Sequence, residues 1–404
     1  MEDAALVSTA AVAVVATLVA AGLFARALAG LFPRLAAAPA GDRNAALDGL
    51  RGFLAVSVVC HHFFIWMGLT RFGTGWTPPA FRPFNHLGLG AVVLFFMITG
   101  YVFAPWIARG DIASWPRLTL RRLFRLQPLV VLSVGLVGAL ALARGGAPGP
   151  GDGRALMIWL SCWSEPGLFG IPDAGRINAH VLWSLKFEWL FTLLLLPLCA
   201  LAARALRGRA PGWMGPLAML LLISGSRVVL ASDGAAGPIL LFAPPFLIGM
   251  IAHEALAREL FRRRFAGRWG PTVAALALAF AIFRAPTPFP PLQMALYALF
   301  FCCVASRRDW PLLTGPGAQA LGAWSYPIYL LHGICLSLLF VEGGGLAALP
   351  TGAALALLPA LACLAVAAAA LAHALIEWPA DGFGRKLAAR GLAPRVRPQP
   401  RGIG

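Results

Sequence analysis

The sequence predicts an all-α, polytopic integral membrane protein with about ten core spans and one further span at the N-terminus. Three observations carry that expectation. Of 404 residues, 59% are hydrophobic and 12% charged, whereas soluble domains run about half apolar and about a quarter charged. The mean hydropathy is +0.78. The apolar residues also come in continuous runs of about the 20 residues a helix needs to cross a bilayer, without the alternation of a transmembrane β-barrel.

In chain order the runs fall at 5–31, 47–68, 87–107, 127–144, 181–206, 214–232, 238–256, 270–284, 290–306, 320–341 and 351–377. Two of them, 270–284 and 290–306, are short. The first run reads as an uncleaved span. ARALA and AAAPA resemble cleavage sites, but the chain opens on Met1-Glu2-Asp3, acidic where a signal peptide is basic. The stretch 155–164 is apolar but too short to span. This divides the chain into an extra span with its loop (1–46), a membrane domain (47–380) and a basic tail (381–404). With the N-terminus outside and the spans alternating, 25 of the 33 basic residues fall on inside segments and six on outside ones. That is the asymmetry of cytoplasmic loops. It puts the tail in the cytosol and the Gly- and Pro-rich 145–180 loop outside, where it can lid the outer face.

The net charge of +17 therefore reads as topology and not as a nucleic-acid surface. Seven scattered cysteines with no CxxC pair imply neither a disulfide framework nor a metal site.

An ionisable residue inside a span costs a few kcal/mol, so each one needs a partner or a job. At depth these are His61, His62, Lys186, Glu188, Arg227, His332 and His373, with Asp48, Arg51 and Glu377 near span ends. In LDGLRGFLAVSVVCHHFF, Arg51 and His62 are almost three whole turns apart, so they share a helix face about 16 Å apart along the axis. His61 is rotated about 80° off that face. Asp48, one turn before Arg51, can orient it. In SYPIYLLH, His332 also lands near midplane with Ser325 and Tyr329 on roughly its face. Two such histidines approached from one side imply a polar cavity open to the cytosol. Glu188 in WSLKFEWLF has Arg227 or Lys186 as ordinary ion-pair candidates. Arg121, Arg122 and Arg125 in LRRLFRLQP read as an inner-loop cluster that suits phosphates, although inner loops are basic anyway.

Taken in order, these segments resemble the membrane-bound acyltransferase-3 family of bacterial O-acyltransferases. The matching pieces are LDGLRG with Arg51 and His62, FFMITG at 95–100, RRLFRLQP at 121–128 and WSLKFE at 183–188. FLIGM at 246–250, SYPIYLLH at 325–332 and IEWP at 376–379 follow. The resemblance implies a ten-helix domain in the bacterial inner membrane. It also implies transfer of an acyl group, usually acetyl, from cytosolic acyl-coenzyme A to a hydroxyl of a glycan or other cell-envelope acceptor. Arg51 and His62 match the family's essential pair, Arg122 and Arg125 its second arginine motif, and Glu188 the acid after WSL. The chain departs from the pattern at Thr99 (usually serine), Val93 (often aspartate) and Trp189 (often a second acid).

Ester formation needs a base for the hydroxyl, a thioester held in line and an oxyanion stabiliser. The expected roles are His62 as base, with Arg51, Arg122 and Arg125 holding the coenzyme A phosphates. Glu188 would orient the acceptor or stabilise the histidine. Tyr326, Tyr329 or His332 would donate to the oxyanion, and no metal is required. The rival reading is a proton-coupled secondary transporter using midplane histidines and acids, but no inverted repeat is visible.

Overall fold

The computed structural model describes residues 4–36, 44–206, 211–230, 237–307, 309–342 and 345–391. Several basic residues that carried the expected orientation (Arg43, Arg207, Arg209, Arg308, Arg395, Arg397 and Arg401) lie outside the described residues, as does the end of the basic tail. Among the described residues all named elements are helical.

The principal helices are α1 (Ala4–Leu31), α2 (Ala45–Phe72), α3 (Leu89–Arg109), α4 (Trp115–Ala143) and α5 (Trp183–Leu190, continued through a π turn to Ala205). They continue with α6 (Met214–Leu230), α7 (Gly237–Leu256), α8 (Glu259–Ala266), α9 (Gly270–Arg284) and α10 (Pro291–Ala305). The last are α11 (Pro316–Ala323), α12 (Ser325–Ser337), α13 (Thr351–Ala372) and α14 (Trp378–Gly391). Each apolar run of the sequence falls on these helices, the run 320–341 being divided between α11 and α12. The molecule is a multi-pass membrane protein. Among the described residues seven helices are long and apolar enough to cross a membrane, or nine if each of two bent pairs is one span. Two shorter apolar helices, Met214–Ser226 and Pro291–Ala305, fall below that length, so the expected count of ten plus one is not reached on length alone.

Two boundaries differ from expectation, each for a local reason. The span expected to begin at 127 begins at Trp115. Asp111 accepts from the Ser114 amide before it, and Pro116 occupies the first turn, where a missing N–H costs nothing. Arg121, Arg122 and Arg125 are therefore helical and not in a loop. The expected span 320–341 is broken, its two halves bent by 72°. Pro327 cannot donate back to residue 323, so the chain ends one helix at Trp324 and starts another. Restarting there seats His332 on the third turn of α12, inside the protein.

Packing centres on α2, which is buried along most of its length and touches α11, α12 and α3. α3 and α7 cross closely. A Cβ on Gly100 would lie 1.9 Å from the Phe246 carbonyl, and one on Gly249 2.0 Å from that of Met97, so only glycine permits it. Phe246 stacks there between Phe96 and Phe191. α13 passes through a wider π turn, His373–Glu377, into α14, which lies along α4 with Phe383 against Phe124.

Candidate active site

His61 and His62 are neighbours with different surroundings. His61 is buried and its Nδ1 lies 3.0 Å from the Phe84 carbonyl. His62 turns toward α12, where its Nδ1 lies 2.9 Å from Nε2 of His332 and 3.2 Å from the Val58 carbonyl. Nδ1 of His332 lies 3.1 Å from the Ile328 carbonyl. A carbonyl only accepts, so Nδ1 of His332 carries its hydrogen and its Nε2 is the acceptor. Nδ1–H of His62 then donates to His332, and the lone pair of His62 is left on Nε2.

Beside this pair lies a cavity of about 190 Å³, lined by Arg51, Arg122, Arg125, Glu188, Ser325, Tyr326 and Tyr329 with Val92, Phe95 and Phe96 as apolar wall. It therefore gathers seven of the residues singled out in the sequence, from α2, α4, α5 and α12. It stops short of the histidines. Tyr329 borders it, its hydroxyl 2.8 Å from Ser184 Oγ, and its ring centroid is 6.2 Å from that of His332.

Glu188 accepts from Arg122 at 2.5 Å and from the Thr99 hydroxyl at 2.9 Å. Of the expected partners, Lys186 lies instead over the rings of Trp163 and Phe187, and the side chain of Arg227 is outside the described residues. Glu188 is thus an α4–α5 tie, and Thr99 keeps a hydroxyl where the family pattern has serine. Asp48 lies 3.9 Å from Arg51, as its spacing implies. Three hydroxyl or imidazole groups expected as oxyanion donors are committed elsewhere. Tyr326 donates to the Leu126 carbonyl, Tyr329 pairs with Ser184, and His332 uses Nδ1–H on Ile328. Ser325 donates to the Gly322 carbonyl.

Two further cavities adjoin the first at the arginine-rich end. One of about 300 Å³ is lined by Asp48, Arg51, Arg125, Gln319, His373 and Glu377, where Glu377 accepts from or pairs with His373 at 2.7 Å. The other, about 750 Å³, shares Phe103, Arg122 and Arg125 with the first and adds Arg117, Arg121, Asp381 and Arg385. Arg125 borders all three.

Residues that sequence reasoning passed over stand on the other side of the histidines, in the 145–180 loop. His180 lies between Glu165 (2.8 Å) and Asp173 (3.0 Å). Burial pulls its pKa down, but the hydrogen bond and charge of Glu165, with Asp173 added, outweigh burial and raise it above the ordinary 6.5. Trp76 bridges the two zones, its ring 6.4 Å from His62 and 5.6 Å from His180. Ala179 and His180 both hold positive φ, 60° and 53°, a conformation L residues rarely adopt. The loop reaches α12 because a Cβ on Gly333 would lie 2.2 Å from the Asn178 backbone. Asn178 itself is fully buried, with neither side-chain polar atom hydrogen-bonded. A polar residue in a loop gives no signal in hydropathy, so none of these was legible beforehand.

The model of the acyltransferase-3 family, described as an acyltransferase domain, matches residues 44–375. The matched stretch contains both histidines and the α4 arginines and ends before α14. Neither the curated proteins nor the solved structures give a significant match.

Proposed function

Because the chain belongs to the acyltransferase-3 family, we propose that it moves an acyl group, acetyl in the simplest case, from cytosolic acyl-coenzyme A to a hydroxyl of a glycan or related cell-envelope acceptor. The observation that carries this reading is the pair of adjoining cavities. One is wide and ringed by arginines; the next is smaller, sets Arg51, Arg122, Arg125 and Glu188 against an apolar wall of Val92, Phe95 and Phe96, and has Tyr329, beside the histidines, in its lining. A donor with a polyanionic head and a thin, uncharged arm suits that sequence of environments.

His62 Nε2 takes the hydroxyl proton while the acceptor oxygen attacks the thioester carbonyl. The C–S bond then breaks, and the proton passes from His62 to the departing thiolate, so the histidine returns to its starting form. His332 acts as a positioning residue: by accepting from Nδ1 it keeps the base lone pair on Nε2. With Tyr326, Tyr329 and His332 engaged, the Asn178 amide is an uncommitted donor on the segment packed beside His332, and we assign it to the oxyanion.

The test is release of coenzyme A from acetyl-coenzyme A by the purified protein. Slow hydrolysis without acceptor, lost in His62→Ala, is expected. A protein that binds no acetyl-coenzyme A and releases no thiol, while carrying protons across vesicles, would instead be a transporter.

A further inference from the structure

We propose that α14 is a wall of the donor site, with Arg385, opposite Arg117 and Arg121 of α4, receiving the phosphates at the nucleotide end of acyl-coenzyme A. This rests on the donor reading above and extends it to a helix beyond the matched residues 44–375.

The 750 Å³ cavity has five arginines and one acid in its lining. Glu188 and Asp381 each pair with one of these arginines, and the guanidinium groups still outnumber the carboxylates around the space, a balance that favours entry of an anion. Nε of Arg122 is buried there with no hydrogen-bond partner. Arg385 is not a loose surface cation, because Asp381 holds its guanidinium at 2.6 Å one turn earlier in the helix. The helix itself is docked on α4, with the rings of Phe383 and Phe124 5.3 Å apart. Arginine forks match phosphate oxygens in pairs, and several phosphates on one molecule need several forks. The shared residues Phe103, Arg122 and Arg125 then carry the arm of the same donor into the smaller cavity. An anionic lipid headgroup offers the same phosphate chemistry, and the experiment separates the two.

The experiment compares acetyl-coenzyme A with acetyl-pantetheine, which lacks the nucleotide, on the full-length protein. The variants are Arg385→Gln and, as a charge-matched control on exposed α8, Arg263→Gln. For Arg385→Gln the KM for acetyl-coenzyme A should rise about tenfold with kcat little changed, the loss expected of one charge-assisted contact. The KM for acetyl-pantetheine should not move, which also shows that the variant is folded. Adenosine 3′,5′-bisphosphate should compete with acetyl-coenzyme A in the wild type and about tenfold less well in the variant. Arg263→Gln should match the wild type throughout. Equal changes for both donors, or none, would overturn the role of α14 while leaving the donor reading intact. A wild type that neither binds nor turns over acetyl-coenzyme A removes both. If rates follow the phosphatidylglycerol content of nanodiscs and the bisphosphate does not compete, Arg385 holds a lipid and the proposal is wrong.

Discussion

The arginine-rich end and the histidine pair are built on opposite principles. At the first, five guanidinium groups surround a wide cavity, and Arg125 borders three spaces at once. Such a site is redundant, and any one charge carries a fraction of its hold on an anion. At the second, each ring nitrogen with a known partner has a single assignment, and the pair lies beside Tyr329 and not in the lining of the cavity that Tyr329 borders. A diffuse field tolerates loss; a chain of single hydrogen bonds does not. The contrast predicts that substitutions at the two places damage different kinetic constants by different amounts.

The largest effect is expected at His62. Removing a positioned general base costs roughly 10²–10⁴-fold in turnover, so His62→Ala should lose at least a hundredfold in kcat while calorimetry still finds donor binding. His61→Ala should keep its turnover and lose stability instead, about 1–3 kcal/mol, since the Phe84 carbonyl is left without its partner. Comparable losses of kcat in both would erase the distinction between the two histidines. One step smaller, His332→Ala should cost on the order of a hundredfold in kcat, less than loss of the base. His332→Gln should recover part of that through its amide oxygen, and His332→Leu none. If leucine serves as well as glutamine, His332 only packs.

How the fold and the site were legible differs in the same way. Spans follow from hydropathy, so the apolar runs all lie on helices. The exception is α4, whose first three turns were read as a loop because they are rich in arginine. Those arginines line cavities, and a residue that faces water inside a membrane protein is invisible to a hydropathy average. The 72° break at Trp324 was missed for a related reason, since ALGAW (320–324) before it and YPIYLL (326–331) after it are both apolar. At the site, helical geometry put His61 and His62 on different faces, because only one element was needed, and the two rings do have different partners. The contact between His62 and His332 crosses 270 positions, and the Arg122–Glu188 tie crosses 66. No local pattern encodes either, and of the partners expected for Glu188, Lys186, its near neighbour in sequence, lies over Trp163 and Phe187 instead.

Smaller effects sharpen the comparison at the charged end. Arg125→Ala should raise the KM for acyl-coenzyme A tenfold to a hundredfold at nearly constant kcat, from one lost contact worth about 1.5–3 kcal/mol. Arg122→Ala should add a stability penalty of about 1–3 kcal/mol, because it leaves the part-buried Glu188 carboxylate with the Thr99 hydroxyl alone. Glu188→Gln in the same chain should relieve much of that penalty without restoring KM, a combination read by thermal unfolding and donor-saturation kinetics together. If Glu188→Gln brings KM back as well, Arg122 acts through the carboxylate and not on the donor.

The smallest expected effect lies in the 145–180 loop. His180 has its folded pKa raised above 6.5, so the folded state favours its proton. Its contribution is full below pH 6.5 and is lost as pH rises through the raised value. Amide exchange in residues 165–182 should therefore quicken, relative to the rest of the chain, from neutral pH upward. His180→Gln should remove that pH dependence. A loop whose relative protection grows with pH would reverse the assignment of the imidazolium.

The π turn at His373–Glu377 has a consequence of phase. A wide turn holds one residue more than a regular helix would, and each residue of an α-helix advances the next by about 100°. Winding those five residues as regular helix, with none removed, would turn everything after them by about 100°. Composition, charge and helical content would scarcely change, yet Arg385 would swing off the cavity and Phe383 off Phe124. The placing of α14 is therefore set by counting: a one-residue deletion inside the π turn should be absorbed as regular helix with its faces kept, whereas one extra residue there should act like the removal of the whole segment.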